Sequence, residues 1–202
     1  MNRNRIVLLV LGLALLAGIA SLTFGVVTRA PAPAASGAAA IGGPFQLVDQ
    51  DGKPIDQRLL DGKWSAVFFG YTFCPDVCPT TLQSLGAAQR LLGSKADKLQ
   101  MVFVSVDPDR DTPKQLKAYL SDAAFAKGIV GLTGTPAQVA AVAKAYGVYY
   151  AKDGSGPDYA VNHSSAIYLM DPKGRFDRVV AAQMAPRDMA AQISDAMDHP
   201  AS

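Results

Sequence analysis

Glutamate is absent from this chain. All 17 acidic residues are aspartates, so Glu-based metal sites and catalytic Glu pairs are excluded outright. Charge of one sign is missing as well. The formal net charge is +2, and three of the 19 basic residues (Arg3, Arg5 and Arg29) stand at the N-terminus, which leaves the body about neutral. Nothing in it forms a nucleic-acid footprint, and no nucleic-acid partner is expected. Cysteine is scarce: the only two, Cys74 and Cys78, lie in one segment, GYTFCPDVCPTTL (Gly70–Leu82). A cross-link over so small a loop stabilises little, because the gain grows with loop length. Histidine is equally scarce, with His163 and His199 only. No internal repeat is present.

The cysteine segment organises the rest. Before it, Ser65–Gly70 (SAVFFG) is short, aromatic and β-branched, which predicts a buried strand. After it, Leu82, Leu85, Gln89 and Leu92 recur at helical spacing behind Pro79, which predicts a helix from Pro79. Both cysteines are therefore expected on the turn between strand end and helix. A helix N-terminus carries positive partial charge and free N–H groups, so a thiolate there is stabilised. Two soft sulfurs facing one way can take a soft metal ion or close a disulfide.

Around this centre the chain alternates strands and helices. Phe45–Val48 and Pro54–Ile55 flank a D-G turn and predict a hairpin. Leu99–Val106 is a nearly continuous apolar run, as for a strand buried on both faces. A helix from Pro113 to about Asp122, a strand over Ile129–Leu132 and a helix over Ala137–Tyr146 follow. Val148–Lys152 is extended, Asp153–Asp158 is a loop, and Ser164–Met170 and Arg175–Ala181 are strands about the turn at Asp171–Gly174. A helix from Pro186 closes the domain. The pattern fits an α/β, thioredoxin-like domain with a central mixed sheet, flanking helices and an N-terminal hairpin. Its cysteines leave the C-terminal end of a central strand, where open α/β sheets place ligands.

Ahead of this domain (44–202) stand two appendages. Ile6–Val27 holds about 22 residues without a charge, against the roughly 20 needed to span a bilayer. Arg3 and Arg5 before it orient the N-terminus to the cytoplasm, so 1–28 is expected to be one transmembrane anchor rather than a cleaved signal peptide. Residues 29–43, rich in Ala, Pro and Gly, are expected to form a linker of about 3 Å per residue. The expected location is the bacterial inner membrane, single pass, with the soluble domain in the periplasm.

His163, in Ala160-Val-Asn-His-Ser-Ser-Ala, stands where a thioredoxin-like fold brings a strand entrance opposite the cysteine loop. His199, beside the C-terminus, is expected to be a solvated tail residue. Cys74, Cys78 and His163 make three ligands. A structural zinc site closes at four, and no credible fourth stands in the sequence. Two thiolates and one imidazole suit copper. Asp76 is expected to be a turn residue between prolines rather than a guide for a metal, Asp109 and Asp111 to serve capping and loop structure ahead of the Pro113 helix, and Asp107 either to face the site or to serve the loop. The methionines Met101, Met170, Met184, Met189 and Met197 are expected to fill the core. Lys152–Asn162, with Gly154, Gly156 and Pro157, is expected to be a mobile loop leading into His163.

Three stretches, GYTFCPDVCPTTL, SVDPDRDTP (Ser105–Pro113) and NHSSAIYLMDPKG (Asn162–Gly174), resemble the Sco family, also called SenC: membrane-tethered copper chaperones for assembling cytochrome c oxidase. The resemblance covers about Pro44 to Ala191 and the anchor architecture, although many members carry Asp where Asn162 stands. It implies a thioredoxin fold in which Cys74, Cys78 and His163 bind copper, Cu(I) or Cu(II). It further implies that copper is passed to the dinuclear copper site of cytochrome c oxidase subunit II, or that the cysteines of that site are reduced by the redox-active pair Cys74 and Cys78. The partners implied are subunit II, another periplasmic copper chaperone and a thioredoxin-like reductant. Two rivals stand beside this reading. A metal-independent periplasmic thiol–disulfide oxidoreductase more typically carries Cys-x-x-Cys. A thioredoxin-fold peroxidase typically has Thr or Ser where Tyr71 stands, three residues before Cys74.

Overall fold

The computed structural model describes residues 41–201; the anchor and most of the linker expected from the sequence lie outside them. The described chain opens on a hairpin, β1 (Gln46–Asp49) and β2 (Pro54–Asp56). Its turn is held by Asp49, whose Oδ1 accepts the N–H groups of Asp51 and Lys53, and by Gly52 at φ +78°. Strand β3 (Trp64–Gly70) follows with all seven residues buried. Then come helix α1 (Val77–Leu91), strand β4 (Leu99–Ser105), helix α2 (Pro113–Leu120), strand β5 (Val130–Thr133) and helix α3 (Pro136–Ala145). Two short strands, β6 (Tyr150–Asp153) and β7 (Ala160–His163), precede β8 (Ala166–Met170), β9 (Phe176–Ala181) and helix α4 (Pro186–Asp198).

Seven strands form one sheet in the order β2-β1-β5-β4-β3-β8-β9. Strands β3, β4 and β5 run parallel, as helical crossovers require, while β8 pairs antiparallel with β3. The central strands are apolar almost throughout because helices cover both sheet faces. Successive residues of β3 point to opposite faces. Phe68 packs with Phe103 and, through it, Tyr119 of α2, whereas Phe69 packs with Tyr146 and Tyr168. Met101, Met170 and Met189 are buried in this core, and Met184 and Met197 pack against it, as expected.

Three local expectations are corrected. Helix α1 begins at Val77, two residues ahead of Pro79, so Cys78 belongs to its first turn and not to the preceding loop. The first turn's N–H groups have no partner within the helix, so Pro79 fits at its third position without marking the start. Lys152–Asn162 is a loop only over residues 154–159; its two ends pair, with Tyr150 facing His163 and Asp153 facing Ala160 across β6 and β7. Asp109 and Asp111 do not cap α2. Thr112 does, its hydroxyl accepting the Gln115 N–H.

Candidate metal centre

The cysteine loop leaves β3 at Gly70. A Cβ there would lie 2.7 Å from Cys78 Sγ and 2.9 Å from Cε2 of Phe103, so only glycine lets α1 bring its sulfur down onto the strand end. Asp111 clamps the next turn of the loop. Its buried carboxylate accepts the Thr72 N–H (3.0 Å), the Thr72 hydroxyl (2.6 Å) and the Ser105 hydroxyl (2.7 Å). Burial nonetheless pushes the Asp111 carboxyl above its ordinary range. Cys74 is partly exposed and Cys78 fully buried; both are free thiols. The Cys78 N–H, at the start of α1, points at Cys74 Sγ (3.4 Å).

His163 closes the group from the end of β7. Its Nε2 lies 3.5 Å from Cys78 Sγ, and its Nδ1 lies 2.9 Å from the Ser164 carbonyl oxygen. A carbonyl can only accept, so Nδ1 carries the hydrogen and Nε2 presents its lone pair to the sulfurs, the usual way a ligating imidazole is oriented. Phe68 and Tyr71 pack edge-on with the ring. The donor atoms of Cys74, Cys78 and His163 all lie within 4.8 Å of one another, and no other group of three or more Cys, His or acidic side chains among the described residues is so arranged.

The two thiols are driven apart electrostatically. The neighbouring Cys78 thiol, with further help from the Cys78 and Asp76 N–H groups, holds Cys74 far below the ordinary thiol range. The same interaction with Cys74, reinforced by burial, pushes Cys78 upward. One proton is thus shared unevenly: thiolate outside, thiol inside.

Other candidates fall elsewhere. His199 is exposed and pairs with Asp195 of α4, away from the three donors. Asp76 is exposed at the start of α1 and accepts the Thr80 hydroxyl. Asp109 is an exposed partner of Lys152. Asp107 is fully buried against Arg110 and the Tyr159 hydroxyl. Sequence reasoning did not single out Arg110 or Tyr159. The signal available was Arg110 itself, the lone cation among three aspartates in SVDPDRDTP.

Residues 33–198 match the model of one protein family, described as SCO1/SenC. The chain belongs to the SCO1/SenC family. Among SCO relatives, it is 46% identical over 152 residues to SCO2, a mitochondrial protein of Saccharomyces cerevisiae, covering 73% of this chain and 50% of that one. The mitochondrial SCO1 homolog 1 of Arabidopsis thaliana is 43% identical, covering 70% of this chain and 42% of its own. The chain thus spans about half the length of these mitochondrial relatives, but 95% of an SCO2-like protein of Rickettsia conorii, 32% identical over 93% of this chain. Among solved structures, Bradyrhizobium japonicum ScoI with copper bound is 46% identical, with TM-score 0.69, over 76% of this chain and 98% of that one. Yeast Sco1 with copper bound is 38% identical, with TM-score 0.73, over 80% and 91%. These likenesses support the thioredoxin-like Sco fold expected from the sequence.

Proposed function

We propose that this protein is a membrane-tethered copper-binding assembly factor whose Cys74, Cys78 and His163 hold one copper ion. Its recipient is subunit II of cytochrome c oxidase, which takes either the metal or electrons at its dinuclear copper site. The observation that carries the reading is the convergence of two sulfurs and an imidazole nitrogen within 4.8 Å, without a fourth donor of that kind among the described residues. A closed structural zinc site takes four protein ligands. Soft thiolates select copper, and a three-donor set leaves room for a partner's ligand to enter. Family membership and the copper-bound relatives support the same metal.

The domain works outside the inner membrane, on the periplasmic side of the single-pass anchor at 1–28. In that oxidising compartment the thiols need a reductant of thioredoxin type before loading, and a second periplasmic chaperone supplies the copper. A second reading is thiol–disulfide exchange, favoured by the partly exposed Cys74 thiolate beside a buried Cys78 thiol. The Cys74 thiolate attacks a disulfide of the partner and forms a mixed disulfide. Cys78, giving up its proton to the departing thiolate, then closes the Cys74–Cys78 bond and leaves two reduced cysteines on the partner.

Metal analysis of the reduced full-length chain tests the copper reading, with one copper per chain expected and none in Cys74→Ser or Cys78→Ser. His163→Ala separates the two readings. It retains Cu(I) on the two thiolates, weakens Cu(II) and loses the sulfur-to-copper visible absorption, yet spares disulfide reduction. Normal oxidase maturation by His163→Ala would make reduction the principal task.

A further inference from the structure

The ribbon that carries His163 pairs with nothing but itself. Strands β6 and β7 form a separate two-stranded sheet, outside the seven-stranded one, and such a ribbon is marginal in water by itself. The contacts Ser164 N–H to Tyr149 O and Tyr149 N–H to Ser164 Oγ are internal to it. Its placement over the cysteines therefore depends on side chains that tie it to the rest of the domain. Val161 is the one buried side chain of β7.

One cation gathers the remaining ties. The Arg110 guanidinium, on the loop after β4, has its Cζ 3.6 Å from the ring centroid of Tyr159, which lies between β6 and β7. The same carbon is 4.7 Å from the Phe73 ring and 5.7 Å from the Tyr71 ring, both on the cysteine loop. Arg110 Nη1 donates to the Pro157 carbonyl at 3.1 Å, a second contact with the ribbon's tip. Below it, Asp107, fully buried, receives Arg110 Nε on one oxygen and the Tyr159 hydroxyl on the other. Tyr71, touched by Arg110, in turn packs edge-on against the His163 ring. A planar cation can stack on rings and donate in several directions at once, which an ammonium cannot.

The geometry points to Arg110, Asp107 and Tyr159 as a latch that docks the His163 ribbon onto the cysteine loop and so sets the imidazole in place. They are positioning residues; none offers a ligand atom to the three-donor group. The exposed Lys152–Asp109 pair, with Lys152 also 4.6 Å from the Tyr159 ring centroid, adds a tie of little weight because solvent screens it. The buried charge-assisted contacts at Asp107 are the stronger kind. The ligand role of His163 rests on the copper reading above, whereas the docking of the ribbon does not.

Hydrogen exchange of the reduced, metal-free, full-length protein tests the latch. Tyr159→Phe removes one hydroxyl and keeps the ring. Losing a hydrogen bond to a charged group, it is expected to speed exchange over residues 148–163 about tenfold, with β3 and β4 unchanged. Arg110→Ala is expected to have a larger effect, and Arg110→Lys not to restore protection. In Cu(II)-loaded samples both Arg110 variants are expected to weaken the nitrogen hyperfine coupling of His163 while Cu(I) stoichiometry stays at the wild-type value. Unchanged exchange across 148–163 in both Tyr159→Phe and Arg110→Ala would overturn the latch. If Arg110→Ala loses protection in β3 and β4 as well, it has unfolded and Tyr159→Phe decides. If the wild type takes up no copper, the copper reading falls and the exchange data still decide the docking.

Discussion

Two residues of the same type, four positions apart, titrate in opposite directions in this protein. Cys74 keeps a stabilised thiolate because the Cys78 thiol and the N–H groups at the start of α1 all address its sulfur. Cys78 keeps its proton because its neighbour already holds the charge and because it is buried. The sign of the pH effect follows. An ordinary thiol, with a pKa of about 8.5, loses thiolate about tenfold for each pH unit below that value. Cys74, with a lowered pKa, stays ionised as the pH falls through neutrality, so its alkylation rate in the reduced, metal-free protein is expected to be nearly flat from pH 8 to about pH 5. Its absolute rate is modest, since nucleophilicity falls with basicity. Cys78 is expected to react only after Cys74 is modified. Peptide mapping after iodoacetamide pulses at several pH values measures both. Parallel, ordinary titration of the two cysteines would contradict the arrangement.

At the scale of elements, the centre exists because a strand end, a helix start and a ribbon end meet. The strand and helix were legible. The run Ser65–Gly70 reads as a buried strand and the apolar spacing after Pro79 as a helix, which put Cys74 on the turn between them. Cys78 belongs to the helix's first turn, because the helix starts two residues earlier than Pro79. Leu99–Ser105 and the helices that begin at Pro113 and Pro136 were equally plain, because apolar runs and a proline in the first turn are local signals, although the cap of the first is Thr112 and not an aspartate. The ribbon was not legible. Each of its strands has four residues, β7 buries only Val161, and Gly154, Gly156 and Pro157 at its tip read as open loop. Strands so short, with so few buried positions, carry no alternating apolar pattern that would report their pairing. The roles of Asp107 and Asp111 were hidden for a different reason, as their partners Tyr159 and Thr72 lie 52 and 39 residues away. Gly70 also acts between elements. Gly70→Ala places a methyl within 2.7 Å of Cys78 Sγ and 2.9 Å of Phe103, so either α1 or Phe103 must shift. The expected cost is about 1–3 kcal/mol of stability, as for overpacking elsewhere, with displacement of Cys78 from His163. Chemical denaturation checks the first effect and copper stoichiometry the second. Wild-type values for both would mean that the strand end yields freely.

At the scale of the whole molecule, the proposed task requires the domain and the membrane to be linked, because its recipient is a membrane enzyme's subunit. The described residues contain no helix long and apolar enough to cross a bilayer. The proposed anchor is Ile6–Val27. Its length at 1.5 Å per helical residue comes to roughly 33 Å, against a hydrocarbon core of about 30 Å. A cleaved signal peptide needs an apolar core of only about 7–15 residues, so the extra length favours the proposed anchor. Under the proposed anchor, Arg3 and Arg5 ahead of it would keep the N-terminus in the cytoplasm and leave the domain outside. Among the described residues the domain begins at once: Ile41 packs on the core and the Gly42 N–H donates to the Ala145 carbonyl. Full-length protein is therefore expected to sediment with membranes, to remain there through carbonate washing, and to be released only by detergent. A chain lacking residues 1–28 but exported by a cleavable signal is expected to be soluble, to load copper at Cys74, Cys78 and His163 as before, and to mature the oxidase less well at equal abundance. Recovery of natural protein beginning near Ala39 or Ala40 in the soluble fraction would replace the anchor with a cleaved leader. The three-donor centre would stand unchanged, because every residue that builds it lies beyond that point.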